Sequence, residues 1–417
     1  MSHRSVLILA GEASGDYHAA ALARDLRQRS PHIRMVGIGG DRLAEAGMEL
    51  LHHYREINMI GLSGGPATIR NIVAAYRTMK RELQSGRHQL FIPVDFPDVN
   101  LRLCRVARRA GLQVCYYISP QVWAWRRSRI RKIAQRVDRM MTIFPFEERL
   151  YREVGVEAYF VGHTMMRDIP EPIDRSSARR QLGMENEGYV VALLPGSRPP
   201  EIHRMLPVMC EAATIFAGEF PDSRFVLPLA GAHLGPLVQE IAANYQIPLK
   251  VIPGEAATVM AAADCGLVTS GTATLQAVLT CMPHVVVYKV DPLTWWLGNR
   301  ILKPLVMEKD VHVAIANVLA IAEERQGGPI KEIHDAGFRI RCQECDRPLF
   351  VPEVLQNKAT PETLAEWLMS FRTKQTLRDA MVRGFQQIRA MLTPRRNGPT
   401  ASDIVLDLLE SRSPLER

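Results

Sequence analysis

Two carboxylates three residues apart follow an apolar run in Val94-Asp95-Phe96-Pro97-Asp98-Val99-Asn100. Asp95 leaves the run first, which places it as a general base able to take a proton from a hydroxyl. Asp98 is as well explained by capping the helix that follows, a position Asp favours. An earlier run ends in Gly11-Glu12-Ala13-Ser14-Gly15-Asp16. Small residues at Ser14 and Gly15, beside Glu12, let backbone amides approach a ligand, and a helix N-terminus there favours an anion. The segment has neither G-x-G-x-x-G nor the lysine of a P-loop, so a tight turn with Asp16 capping the helix accounts for it equally well. In Ser119-Pro120-Gln121-Val122-Trp123-Ala124-Trp125-Arg126-Arg127, Trp123 and Trp125 stand beside Arg126. They suit stacking on a sugar or an apolar chain while arginine holds phosphate, or equally a core pair with snorkelling arginines.

The second half of the chain offers anion-binding residues. Leu194-Pro195-Gly196-Ser197-Arg198 lets backbone approach an anion at Gly196 and Ser197, with Arg198 able to grip a diphosphate in bidentate fashion. Negative charge grows on a leaving diphosphate, so a cation fixed there lowers the barrier. Thr269-Ser270-Gly271-Thr272-Ala273-Thr274 is a second cradle of hydroxyls and amides opening a helix. No D-x-D occurs, so a metal-bridged diphosphate site of that type is not expected, and no metal or cofactor is assigned. Cys342-Gln343-Glu344-Cys345 is a lone C-x-x-C; with His334 it still lacks a fourth zinc ligand, and an inert surface pair is the plainer reading.

These loops need strands to carry them. Val6–Ala10, Met35–Ile38, Leu90–Val94, Val114–Ile118, Met140–Phe144 and Tyr159–Val161 are short apolar runs separated by helical patterns, which predicts βαβ units and a parallel sheet. After Pro170-Glu171-Pro172-Ile173-Asp174, a linker candidate, the pattern restarts with Tyr189–Leu194, Phe225–Leu229, Lys250–Ile252, Gly266–Val268 and His284–Tyr288. The expectation is α/β, two doubly wound Rossmann-like domains facing a cleft. They would span residues 1–169 and 175–390, with an inserted loop at about 321–348. The helix in 391–417 would cross back to the first domain or to a dimer partner.

The 417 residues suffice for two cores, and the net charge of +8 favours anionic partners. No recognition helix or RNA-binding signature accompanies the basic residues, which argues against nucleic acid. Cys104, Cys115, Cys210, Cys265 and Cys281 lie in or beside apolar runs and read as core thiols in a reducing compartment. The run Ser5–Ala10 is too short for a secretion signal, and no stretch of about 18 apolar residues occurs. From Pro66, Ile69, Ile72, Val73, Tyr76, Met79 and Leu83 share a helical face, with Arg70, Arg77, Lys80 and Arg81 elsewhere. That suits either packing on the sheet or lying on an anionic bilayer, with Pro292–Leu297 as a second aromatic patch.

Taken in order, Gly11–Asp16, Val94–Asn100, Ser119–Trp125, Phe144-Pro145-Phe146-Glu147, Val161-Gly162-His163-Thr164, Leu194–Arg198 and Ser270–Thr274 resemble the strand-end signatures of the lipid-A-disaccharide synthase family. The resemblance covers nearly the whole chain except the insert. It implies a GT-B fold and an inverting transfer from UDP-2,3-diacylglucosamine to 2,3-diacylglucosamine 1-phosphate (lipid X). The products would be a β-1,6-linked disaccharide 1-phosphate and UDP. It also implies work at the cytoplasmic face of the inner membrane and, in some members, a homodimer. The family's base matches Asp95 and its diphosphate arginine Arg198. The expected donor set is Ser197, Glu201, Ser270, Gly271, Thr272, Ala273, Thr274, Gln276 and Asn317; the expected acceptor or lipid contacts are Glu12, Ser14, Gly15, Trp123, Trp125 and Arg126. Gln276 stands where the family usually carries Glu, and Ala316 replaces an expected Pro before Asn317. The insert with Cys342 and Cys345 has no counterpart in the family pattern. An epimerase acting on UDP-N-acetylhexosamine, or a UDP-sugar-binding protein without turnover, are the competing readings.

Overall fold

The computed structural model of the chain describes residues 4–57, 66–120, 129–184, 188–289, 314–324 and 349–411. The chain divides into two compact units, Met1–Thr164 with Leu392–Arg417, and Met165–Met391. It leaves the first unit after Thr164, ahead of the Pro170–Asp174 segment, and returns to it after Met391.

The first unit holds β1 (Ser5–Ala10), β2 (Arg34–Gly39), β3 (Glu49–His53), β4 (Leu90–Val94), β5 (Gln113–Tyr117), β6 (Arg139–Thr142) and β7 (Glu157–Phe160). Their order across the sheet is β3-β2-β1-β4-β5-β6-β7, and every neighbouring pair runs parallel. β1 and β4 are buried along their whole length, as strands covered on both faces must be. Helices supply that cover: Leu7, Leu9, Phe91 and Tyr116 share one core with Met79, Leu103 and Ile133. β3 has no counterpart among the sequence-predicted strands. It is the edge strand, half exposed, and Glu49 and two histidines break its apolar run.

The second unit repeats the scheme with β8 (Tyr189–Leu194), β9 (Ser223–Leu229), β10 (Leu249–Pro253), β11 (Cys265–Thr269), β12 (His284–Tyr288) and β13 (Glu353–Leu355). These run parallel in the order β10-β9-β8-β11-β12-β13. Residues 321–324 of the expected loop at 321–348 belong instead to helix Ile315–Glu324, where Ala316, Leu319, Ala320 and Ile321 are buried, and residues 325–348 lie outside the described residues. His334, Cys342, Cys345 and Pro292–Leu297 lie outside the described residues.

In each sheet the strand order reverses once, between β1 and β4 and between β8 and β11. The loops that leave such neighbouring strands diverge to opposite faces and open a crevice. Ala10 pairs with Val94, and Val268 with Leu194, so the Asp95 loop and the three glycine- and hydroxyl-rich loops leave from those two switch points.

Two further features bear on function. Helix Ala401–Glu410 docks on the first unit: Arg29 pairs with Asp403 at 2.6 Å and Arg139 with Asp407 at 2.5 Å, above buried Ile404, Val405, Leu408 and Leu409. Helix Pro66–Gln84 packs Ala75, Met79 and Leu83 into the core yet leaves Val73 39% exposed. Cys104, Cys115, Cys210 and Cys265 are buried as expected, whereas Cys281 is half-buried. Burial raises the thiol pKa of Cys210 and of Cys265 to about 12.

Candidate functional site

At the first switch point the loop after β1 is pressed against the loop after β4. A Cβ on Gly15 would lie 3.4 Å from the Ala10 Cβ and 3.7 Å from the Val94 carbonyl. One on Gly11 would fall 2.5 Å from the Phe96 ring. A side chain at Gly11 would thus displace the Phe96 ring, whereas at Gly15 the neighbours stand at ordinary contact distance. Glu12 is the N-cap residue, without a side-chain capping bond, and Ser14 is exposed.

Asp95 and Phe96 both adopt left-handed backbone, with φ of 44° and 47°. Non-glycine residues enter that region at a cost of roughly 1 kcal/mol or more each, so the fold must hold them there. The Asp95 N–H donates to the Tyr117 carbonyl at 3.0 Å. The Asp95 carbonyl accepts from Asn100 Nδ2 and from Tyr116 Oη, each at 2.6 Å. Asn100 also donates to the Val94 carbonyl at 3.2 Å. These bonds pin the Asp95 backbone in that conformation at the end of β4. Burial, with the nearby Glu12 carboxylate adding to it and a hydrogen bond from the Phe96 backbone N–H partly opposing both, raises the Asp95 pKa to about 6. Such a carboxylate is ionised at neutral pH yet basic enough to accept a hydroxyl proton.

Two sequence-based expectations are corrected. Asp16 does not cap its own helix: its carboxylate accepts from the N–H groups of Gly40 at 2.6 Å and of Arg42 and Leu43 at 3.3 Å, so it caps helix Asp41–Glu45. Asp98 is not an N-cap either. That position belongs to Phe96, and Asp98 sits within helix Pro97–Arg109, paired with Arg129 at 2.6 Å.

Several residues around this loop carried no role in the sequence reading. Tyr116 and Asn100 are two, and neither type in its run stands out from core. Glu147, 1% exposed, accepts from Ser119 Oγ at 2.9 Å and from the Phe144 N–H at 3.3 Å. It thereby fixes the start of the segment that leads to the tryptophans. Trp123, Trp125 and Arg126 themselves lie outside the described residues. His18 contacts the Thr164 hydroxyl and stacks edge-on to His163, ring centroids 5.1 Å apart. Burial lowers their pKa values to about 4 for His18 and, with His18 adding to the effect, about 3 for His163. Both rings are therefore neutral at neutral pH.

At the second switch point β8 ends in Leu194, and Gly196 turns with φ of 114°. Ser197 and Arg198 are exposed, and Arg198 is the N-cap of helix Pro199–Glu219. Glu201 folds back onto the turn, accepting from the Ser197 N–H at 3.1 Å and lying 3.5 Å from Arg198 Nη1. After β11, Gly271 is the N-cap of helix Thr272–Leu279, with φ of 149° and open space where a Cβ would stand. Thr272 is exposed and Ala273 half-buried at that helix start, and Ser270 donates its backbone N–H to Val287 at 3.2 Å. Thr274 is turned inward, its hydroxyl donating to the Gly271 carbonyl at 2.7 Å. Gln276 is half-buried one turn along. Asn317, 1% exposed, spends its amide inside the fold. It donates to the Val351 carbonyl and Glu353 and accepts from the N–H groups of Phe350 and Val351. No cluster of three or more metal-ligating side chains occurs among the described residues.

The comparisons with known proteins fit this geometry. Residues 6–325 match the family described as lipid-A-disaccharide synthetase. The chain is 37% identical to a lipid-A-disaccharide synthase of Myxococcus xanthus (strain DK1622) over 97% of each chain. It is 36% identical to one of Pseudomonas savastanoi pv. phaseolicola over 98% of each. Among solved structures it is similar to the calicheamicin glycosyltransferase CalG4, with TM-score 0.58, 14% identity, and 99% of this chain and 100% of that one covered. It is also similar to an S. aureus MnaA–UDP co-structure, with TM-score 0.55, 10% identity and 95% and 99% covered. At such identities the structures speak for the fold alone, a GT-B-type pairing of Rossmann-like units. The sequence relatives go further, and on them the chain belongs to the lipid-A-disaccharide synthase family.

Proposed function

We propose that this chain is an inverting glycosyltransferase. It joins UDP-2,3-diacylglucosamine to lipid X, giving the β-1,6 disaccharide 1-phosphate and UDP. The observation that carries the reading is Asp95, a carboxylate held in strained backbone with its pKa raised to about 6 at the first switch point. Asp95 takes the proton of the acceptor's 6-hydroxyl. The oxygen attacks the anomeric carbon from the face opposite the nucleotide, the new C–O bond forms, and the bond to the diphosphate breaks with its electron pair leaving on UDP. Arg198, the Ser197 amide and the start of helix Thr272–Leu279 stabilise the departing charge. Ser270, Gly271, Thr272 and Ala273 line the nucleotide side, with Gln276 close to the ribose. Asn317 acts from behind, as a strut for the segment before β13. Glu12 raises the basicity of Asp95, while Ser14 and Gly15 supply the turn at which the acceptor approaches. Trp123, Trp125 and Arg126 would meet the acyl chains and phosphate.

No helix among the described residues is long and apolar enough to cross a membrane. The lipid substrates require contact with a bilayer, and we place the chain at the cytoplasmic face of the inner membrane. A groove of about 690 Å³ on the first unit supports this. Lys80, Arg102, Arg105, Arg109 and Arg136 line it, and Val73 stands exposed on the same helix as Lys80. Binding to vesicles that contain phosphatidylglycerol, weakened by salt, tests that placement. A homodimer is a further expectation, to be tested by light scattering.

The decisive assay is turnover of UDP-2,3-diacylglucosamine and lipid X with and without EDTA. Disaccharide 1-phosphate formed despite the chelator supports the reading. UDP binding without product from folded protein would overturn it in favour of a binding role. Turnover of a soluble UDP-sugar alone would favour an epimerase.

A further inference from the structure

Glu201, which the family resemblance puts in the donor set, is engaged in a way that differs from a direct donor contact. Its carboxylate accepts from the Ser197 N–H at 3.1 Å and lies 3.5 Å from Arg198 Nη1. Those are the two groups the turn after β8 offers to a diphosphate. The turn is shaped to admit this carboxylate: a Cβ on Gly196 would stand 2.5 Å from Glu201 Oε2 and 2.8 Å from the Glu201 Cβ. Pro199 and Pro200 open the helix and have no N–H. That leaves the Ser197 amide as a scarce donor at this end of the helix. A carboxylate and a phosphate are both acceptors, and one N–H cannot fully serve both.

From this geometry we infer that Glu201 is a built-in competitor anion. It occupies the diphosphate position while the nucleotide site is empty and must swing away when the donor enters. The inference rests on the reading of this turn as the diphosphate site. It makes Glu201 a residue that weakens nucleotide binding and hastens the departure of UDP, because its carboxylate retakes the Ser197 amide and Arg198 as the product leaves. The Glu201 side chain is 24% exposed and that of Arg198 54%, so both have solvent-side room to separate.

Calorimetric titration of UDP, and separately of inorganic pyrophosphate, into the wild-type chain, Glu201→Gln and Glu201→Ala tests it. Both substitutions are expected to tighten UDP by about threefold or more, the size expected for removing a partly exposed charge interaction. UDP should also become a correspondingly stronger product inhibitor. A purely structural role, in which Glu201 only holds Arg198 in place, cannot tighten binding when it is lost. Unchanged or weaker UDP binding in both folded variants therefore overturns the inference. If the wild-type chain and both variants alike fail to bind UDP or pyrophosphate, the diphosphate reading of the turn falls, and the inference falls with it.

Discussion

At the scale of the residue, Asp95 combines two penalties that a purely structural aspartate avoids. Its backbone is left-handed, and its half-buried carboxylate is largely desolvated beside Glu12. The folded-state pKa of about 6 lies above the ordinary 3.8, so the native state holds the proton more tightly than the unfolded chain does. The resulting cost is absent below the unfolded pKa, grows as pH rises between the two values, and is complete above about 6. Asp95→Asn removes the charge and suits the left-handed region better. It is expected to raise stability by about 1–2 kcal/mol at pH 8 while lowering kcat at least 100-fold, as read by urea unfolding and by product formation. In the wild-type enzyme kcat/KM should fall as pH drops through about 6, because the base must be ionised. A profile flat down to pH 4.5 would remove Asp95 from the role of base. Tyr116→Phe takes one of the two side-chain donors from the Asp95 carbonyl. It should cost about 1 kcal/mol of stability and lower kcat more than it changes KM, since the base is displaced rather than lost.

Elements act on one another through the switch points. The loop after β1 and the loop after β4 touch at Gly11 and Phe96, with no room for a methyl group between them. Gly11→Ala must therefore move Phe96 and with it the strained turn that aims Asp95. The expected outcome is a loss of kcat of about tenfold or more, with a fall in melting temperature small by comparison. A variant with full turnover would show that the β4 turn tolerates the shift. In the second unit, Arg198→Ala should weaken UDP about tenfold or more in the same calorimetric titration, since it removes the turn's cation.

Across the whole molecule the C-terminal segment is a structural part of the first unit. Helix Ala401–Glu410 buries four aliphatic side chains there and fixes them with Arg29–Asp403 and Arg139–Asp407. Burial of that kind is worth several kcal/mol, at about 1.5–3 kcal/mol for each side chain fully removed from water. A chain ending before Leu392 is expected to lose the first unit's cooperative unfolding transition or to melt at least about 10 °C lower by differential scanning calorimetry, even though Asp95 and Arg198 are untouched.

The parallel strands were legible because a strand covered on both faces must be apolar throughout, and such runs end where backbone turns toward a ligand. That made β1, β4, β8 and β11 and the loops after them visible, with Asp95, Arg198 and the Ser270–Thr274 cradle among their residues. Family membership followed from the order of those motifs. Edge strand β3 and three-residue β13 escaped, since an edge strand needs few apolar residues and a short one gives no period. The capping partners escaped as well. Asp16 and Asp98 each look like a cap for the helix they sit in, and only the packing of neighbouring helices gives Asp16 the amides of Gly40 and Leu43 and gives Asp98 the guanidinium of Arg129. The raised pKa of Asp95, the support from Tyr116 and Asn100, and the hold of Glu201 on the Arg198 turn belong to the same class. Each is a contact or a loss of solvent that forms when the folded chain closes on itself, and residue order alone does not specify it.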